Sequence, residues 1–92
     1  MPLERYLKDR PKLRKLHEQA VKLFVANVAT HSARVMEPFR LYVTRATGSR
    51  KWDVDGSEYI DSVMGHGALV VGHSHPAIAE ALQEQVSKGV LY

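Results

Sequence analysis

Three histidines and three glycines fall within SVMGHGALVVGHSHP, the stretch from Ser62 to Pro76. Residues of these types at this density suit a metal centre, a phosphate cradle or the wall of a substrate pocket. His73 and His75 stand two apart, so an extended backbone would aim both imidazoles to one side. A third ligand such as His66 would then complete a zinc set. Against this, no Asp, Glu or Cys interrupts the stretch. A histidine just ahead of Pro76 also has a structural task, bonding backbone groups at a turn or helix start. Gly65-His66-Gly67 looks like the opening of a dinucleotide fingerprint, but the third glycine position holds Val70 and no Gly-Lys-Ser/Thr is present. The glycines serve either the close approach of backbone to a ligand or another chain, or tight turns, and residue chemistry alone weighs these equally. No metal site is expected, and His73, His75 and Pro76 are read as structural.

Two further groups bear on chemistry. Arg34 sits in the aperiodic run ANVATHSARVMEP, where a guanidinium would grip a carboxylate in two places or simply stand in solvent. Asp53, Asp55, Glu58 and Asp61 crowd DVDGSEYID, which lacks the spacing of a calcium loop. They are expected to be the solvated face of a hairpin.

The elements that must position these residues follow from periodicity. Leu13, Leu16, Ala20, Leu23 and Phe24 recur at helical spacing behind Pro11, which predicts a helix from Pro11 to Phe24. A shorter helical turn, Leu3 to Lys8, precedes it. RLYVTRA is rich in β-branched and aromatic residues. RKWDV and SEYID flank Asp55-Gly56, a favoured two-residue turn. That turn would set Trp52 against Tyr59 and Arg50 against Asp61, and Leu41 to Asp61 reads as a three-stranded antiparallel sheet. ALVVG is a short apolar run. Pro76 opens a last helix with Ile78, Ala79, Leu82 and Val86 as its buried stripe and Gly89 to end it. The class is α+β: a helical segment over 1–29, a loop over 30–38, and a small sheet plus helix over 39–92.

Composition narrows the function. The 92 residues are 45% hydrophobic and include no cysteine, which excludes disulfides and thiolate metal sites. No apolar run is long enough to span a membrane and the charged start is unlike a signal peptide, so a cytoplasmic protein is expected. Residues 1–51 carry 12 Lys/Arg against 4 Asp/Glu, a net of +8, and residues 52–92 carry 1 against 6, a net of −5. The basic residues of RYLKDRPKLRKLHEQAVK alternate with apolar ones as on the wet face of a helix, so no nucleic-acid partner is expected. The closing VLY and the amount of apolar surface that two helices and one small sheet would leave uncovered suggest a piece of something larger, or an obligate partner in a complex.

The run GSRKWDVDGSEYIDSVMGHGALVVGHSHPAIAEALQEQ, extended backward through THSARVMEPFRLYVTRA, strongly resembles the N-terminal segment of class III pyridoxal-phosphate (PLP) aminotransferases. It is most similar to glutamate-1-semialdehyde 2,1-aminomutase-like members, and the likeness covers about residues 30–90. The resemblance implies the N-terminal part of a fold-type I PLP enzyme that is a homodimer several times this length, with a small-molecule amino acid or amine as substrate. It implies that the chain stops before the large PLP domain, where such enzymes keep the Schiff-base lysine, the aspartate facing the pyridine nitrogen and most phosphate contacts. No catalytic or cofactor-binding residue is therefore assigned here, and the 92 residues alone are expected to bind no PLP and to be inactive. Lys51 and Lys88 do not match the catalytic context. The resemblance assigns Arg34 to the substrate carboxylate. It places His66, with Gly65 and Gly67 beside it, where many relatives carry the tryptophan of a Ser-Trp-Gly-Pro string at the border of the substrate pocket. Gly65-His66-Gly67-Ala68 departs from that string, which favours an aminotransferase of different specificity. The alternative is a non-catalytic interaction module that pairs with itself or with a full-length homologue.

Overall fold

A computed structural model describes residues 2–23, 38 and 40–90. Its elements are α1 (Pro2–Asp9), α2 (Pro11–Leu23), β1 (Val43–Thr47), β2 (Arg50–Asp53), β3 (Glu58–Ile60) and α3 (Pro76–Val86). The three strands form one antiparallel sheet in the order β1-β2-β3. This is the expected α+β class, and the first helical turn proves to be a full short helix. The chain divides into two compact units, one of Met1–Thr44 with Trp52–Ser57 and one of Arg45–Lys51 with Glu58–Tyr92. Among the described residues no helix is long and apolar enough to cross a membrane.

The first unit is organised by carboxylates. The residue before a proline avoids the α conformation, so Arg10 separates α1 from α2, and Pro11 supplies the first position of α2, where its missing N–H costs nothing. The amides of Lys12 and Leu13 instead reach across the sequence to Asp55, donating to Oδ1 at 3.1 Å and to Oδ2 at 2.9 Å. Asp55 thus does for α2 what an N-terminal cap residue does, satisfying two of the amides this helix start leaves open. One turn of α2 faces inward there: Leu13 is fully buried, the one buried apolar side chain among the described residues. Asp53, only 1% exposed, accepts the amides of Asp55 at 3.0 Å and Ser57 at 2.8 Å through Oδ1. Its Oδ2 lies 3.5 Å from Nε of Arg10, whose guanidinium stacks 4.1 Å over the ring of Tyr6.

Asp53 also corrects the register of the hairpin. The Asp53 amide donates to the Ser57 carbonyl and the Gly56 amide to the Asp53 carbonyl, which closes a three-residue loop, Val54 to Gly56, with Gly56 at φ +86°. The Asp61 amide donates to the Ser49 carbonyl in the same register. The pairing is one residue away from that of a two-residue turn, so Trp52 does not stand opposite Tyr59, nor Arg50 opposite Asp61. Arg50 pairs with Glu58 instead. Nor is the hairpin's acidic face wholly solvated, because Asp53 and Asp61 are the buried polar residues of the described chain.

In the second unit, α3 starts at Pro76, as expected. His75 occupies the cap position without a side-chain bond there, and its carbonyl accepts the amides of Ile78 and Ala79. Ser87 Oγ donates to the Glu84 carbonyl at 2.7 Å and Gly89 follows at φ +108°. The expected buried stripe is not buried: Ile78, Leu82 and Val86 are all at least half exposed, and α3 has no buried residue. Helical spacing marks a face able to be buried, while burial itself needs a second surface, and no described residue of this unit covers the stripe.

Candidate functional site

The histidine- and glycine-rich stretch folds as a loop whose two ends are fastened together. At its start Asp61, 7% exposed, accepts the amides of Val63 at 3.1 Å and Met64 at 3.2 Å through Oδ1. At its end His73 donates from Nε2 to Asp61 Oδ2 at 2.6 Å, and Lys51 Nζ lies 3.3 Å from Asp61 Oδ1. The His73 bond holds the Asp61 carboxyl well below the usual carboxylate range. Burial pushes the other way, and the Met64 and Val63 amides and Lys51 add to the lowering. His73 therefore has the structural role expected of it, but its partner is a carboxylate rather than a helix end.

The backbone repeats the closure. Gly48 and His73 exchange both of their backbone hydrogen bonds at 2.9 Å, beside the bond from the Asp61 amide to Ser49. Ser74 Oγ donates to the Ala46 carbonyl at 2.9 Å. Gly72 comes so close that a Cβ on it would stand 3.0 Å from the Gly48 Cα and 3.1 Å from its carbonyl carbon and oxygen. With φ at +87°, Gly72 is needed there for both contact and conformation.

Between the ends, Met64, Gly65, His66 and Gly67 all have positive φ, at 48°, 61°, 58° and 86°. Four such residues in succession make a left-handed turn, closed by bonds from the Gly67 amide to Val63 and Met64 and from the Leu69 amide to Met64. For an L-residue this conformation costs about 1–2 kcal/mol, so Met64 and His66 are held in it by their surroundings, and strain of this kind concentrates at functional sites. His66 is exposed on the turn. Thus Gly65, His66 and Gly67, three of the four residues expected to touch substrate, belong to one structural feature. The fourth, Arg34, lies outside the described residues. Asp61 is not legible as part of this site because its neighbours make it look like one more hairpin carboxylate; the signal is its place directly after β3 and directly before an aperiodic segment.

Beyond the turn, Ala68, Leu69, Val70 and Val71 line an apolar groove of about 380 Å³ with His75, Ile78 and Leu82. No three His, Asp or Glu side chains converge as a metal-binding group among the described residues. All six lysines of the chain are described: Lys8, Lys12, Lys15, Lys22 and Lys88 are exposed, and Lys51 is ion-paired with Asp61.

The comparisons with known proteins bear on what such a segment belongs to. The model of class-III aminotransferases matches residues 31–92. The chain is 42% identical over 77 residues to the glutamate-1-semialdehyde 2,1-aminomutase of Methanocella arvoryzae, covering 84% of this chain but 18% of that protein. Its fold matches a glutamate-1-semialdehyde aminomutase from Pseudomonas aeruginosa with a TM-score of 0.82 and 26% identity, over 95% of this chain and 19% of the other. A variant of that protein has been solved in complex with PMP. A transaminase with PLP bound matches with a TM-score of 0.79 and 32% identity, over 89% of this chain and 19% of that one. The chain therefore spans about a fifth of the length of the relatives it matches, and by its sequence and its fold it belongs to the class III aminotransferase family.

Proposed function

We infer that residues 1–92 are the N-terminal part of a PLP-dependent aminotransferase or aminomutase, contributing wall to the substrate pocket and surface to a homodimer. The parent reaction would exchange an amino group between an amino donor and a carbonyl substrate. In this reading residues 1–29 form a helical segment, 30–38 a loop carrying Arg34 toward a substrate carboxylate, and 39–92 the sheet and helix that precede a large domain. The observation that carries it is the left-handed turn of Met64 to Gly67, which presents His66 at a conformational cost. The family implies PLP, and the lysines described here do not fit it. Each is exposed or ion-paired, whereas an imine-forming lysine is activated in an apolar pocket or by another cation. This supports placing the cofactor lysine outside residues 1–92.

The test is kinetic. Residues 30–90 are grafted into a class III aminotransferase in place of its own segment, and Arg34→Ala and His66→Trp are made there. Loss of the charge-assisted pair should raise KM for carboxylate-bearing substrates roughly ten- to a hundredfold and spare an amine without a carboxylate. His66→Trp should change the ranking of substrates by size, because an indole fills volume that an imidazole leaves open. Equal losses on every substrate would remove both residues from the pocket.

A second reading is favoured by the exposed apolar row of α3 and the groove beside it: a non-catalytic module that pairs with itself or with a full-length homologue. Sedimentation of the 92-residue chain tests it, and a monodisperse monomer that ignores a co-expressed homologue would end it.

A further inference from the structure

We propose that Asp61 and His73 are a positioning pair whose contact holds the left-handed turn in the form that presents His66. The proposal rests on the pocket reading for the purpose of the turn, but the geometry of the pair stands by itself.

The two residues bracket the loop and touch across its neck at 2.6 Å. Asp61 divides its two oxygens between the two tasks. Oδ2 takes His73, while Oδ1 takes the amides of Val63 and Met64, the residues that lead into the turn. Both backbone ends are fixed on adjacent residues, Asp61 on Ser49 and His73 on Gly48. Asp61 fixes the peptide planes of Val63 and Met64, whose carbonyls in turn accept the amides of Gly67 and Leu69 that close the turn, and its own charge is maintained by His73 and Lys51. A carboxylate accepts such bonds more strongly as an anion than as a neutral acid, so a side chain at the loop's end sets the strength of a bond at its beginning. His66 touches neither member of the pair in this chain of bonds. It is placed through them.

Amide hydrogen exchange on the full 92-residue chain tests this. His73→Ala should accelerate exchange at Val63, Met64, Gly67 and Leu69 roughly ten- to a hundredfold, with the α3 amides unchanged. His73→Gln, which keeps a donor near Nε2, should restore part of the protection. By NMR, the Asp61 carboxyl should titrate closer to the ordinary carboxylate range in His73→Ala than in the unmodified chain, a change that a general loss of packing would not confine to one carboxyl. Equal acceleration in α3, an unmoved Asp61 titration, or no protection at Val63 and Met64 in the unmodified chain would each overturn the proposal. The grafted His66→Trp enzyme reads a different failure: an unchanged substrate ranking with the exchange pattern intact would leave the pair standing and remove the pocket reading.

Discussion

The unit that carries α1 and α2 and the unit that carries α3 solve the same problem with different means. In the first, one leucine is fully buried and two aspartates bind backbone amides around it. In the second, no apolar side chain is buried among the described residues. One aspartate, one histidine and a contact between two glycines fix a loop, while the apolar face of α3 stays open. Carboxylates recur in both because a strand end or helix start leaves amides that must be satisfied. The units differ in what surrounds the carboxylates. A buried apolar side chain stabilises whatever encloses it, whereas a hydrogen-bonded neck stabilises only the loop it closes.

The contrast is open to attack, the strongest test first. Leu13→Ala should cost the first unit about 3 kcal/mol, the usual loss for truncating a buried leucine. It would be read by denaturant unfolding with the fluorescence of Trp52, the chain's single tryptophan. Equal loss of amide protection in α3 would break the comparison. Gly72→Ala should cost the second unit about 2 kcal/mol, from a positive φ and a Cβ against Gly48. Exchange at the Gly48 and His73 amides would report it, with the Trp52 transition held. Asp55→Ala should cost about 1 kcal/mol, the scale of a lost helix cap, and should speed exchange at Lys12 and Leu13; unchanged exchange there would deny Asp55 its capping role. The smallest effect is on acidification. The folded chain holds Asp61 below the ordinary carboxylate range, so its contribution is complete above the unfolded value of about 4. It fades as pH falls further, when the unfolded chain takes up the proton more readily. Protection at Val63 and Met64 should therefore persist at neutral pH, weaken only in strong acid, and weaken at higher pH in His73→Ala. Protection that falls already between pH 7 and 5 would contradict the assignment.

What the residues disclosed in advance follows the range of the forces involved. The starts of α2 and α3 were legible because a proline and an apolar spacing act within a few residues. The hairpin was legible as a hairpin but slipped by one, since Asp53 draws in the amides of both Asp55 and Ser57 and makes room for a third loop residue. Asp61 was not legible as a buried group, because its partner lies twelve residues on and their meeting depends on the fold. The exposure of α3 was not legible for a related reason: periodicity describes one face, and a second must come from elsewhere. His66, Gly65 and Gly67 were picked out by type and by resemblance, yet their shared left-handed conformation was visible only in the backbone.

The attachment of the loop to two adjacent residues carries one more consequence. Asp61 is tied to Ser49 and His73 to Gly48, so the gap the loop must bridge is set by two adjacent residues outside it, which the left-handed turn at its tip takes no part in holding. Such a segment is an exchangeable cassette. Its tip can be rewritten while the mounting stays the same, provided the new residues tolerate the positive φ of the turn. A family that keeps the mounting and varies the cassette could present new side chains from this loop without rebuilding the sheet that carries it.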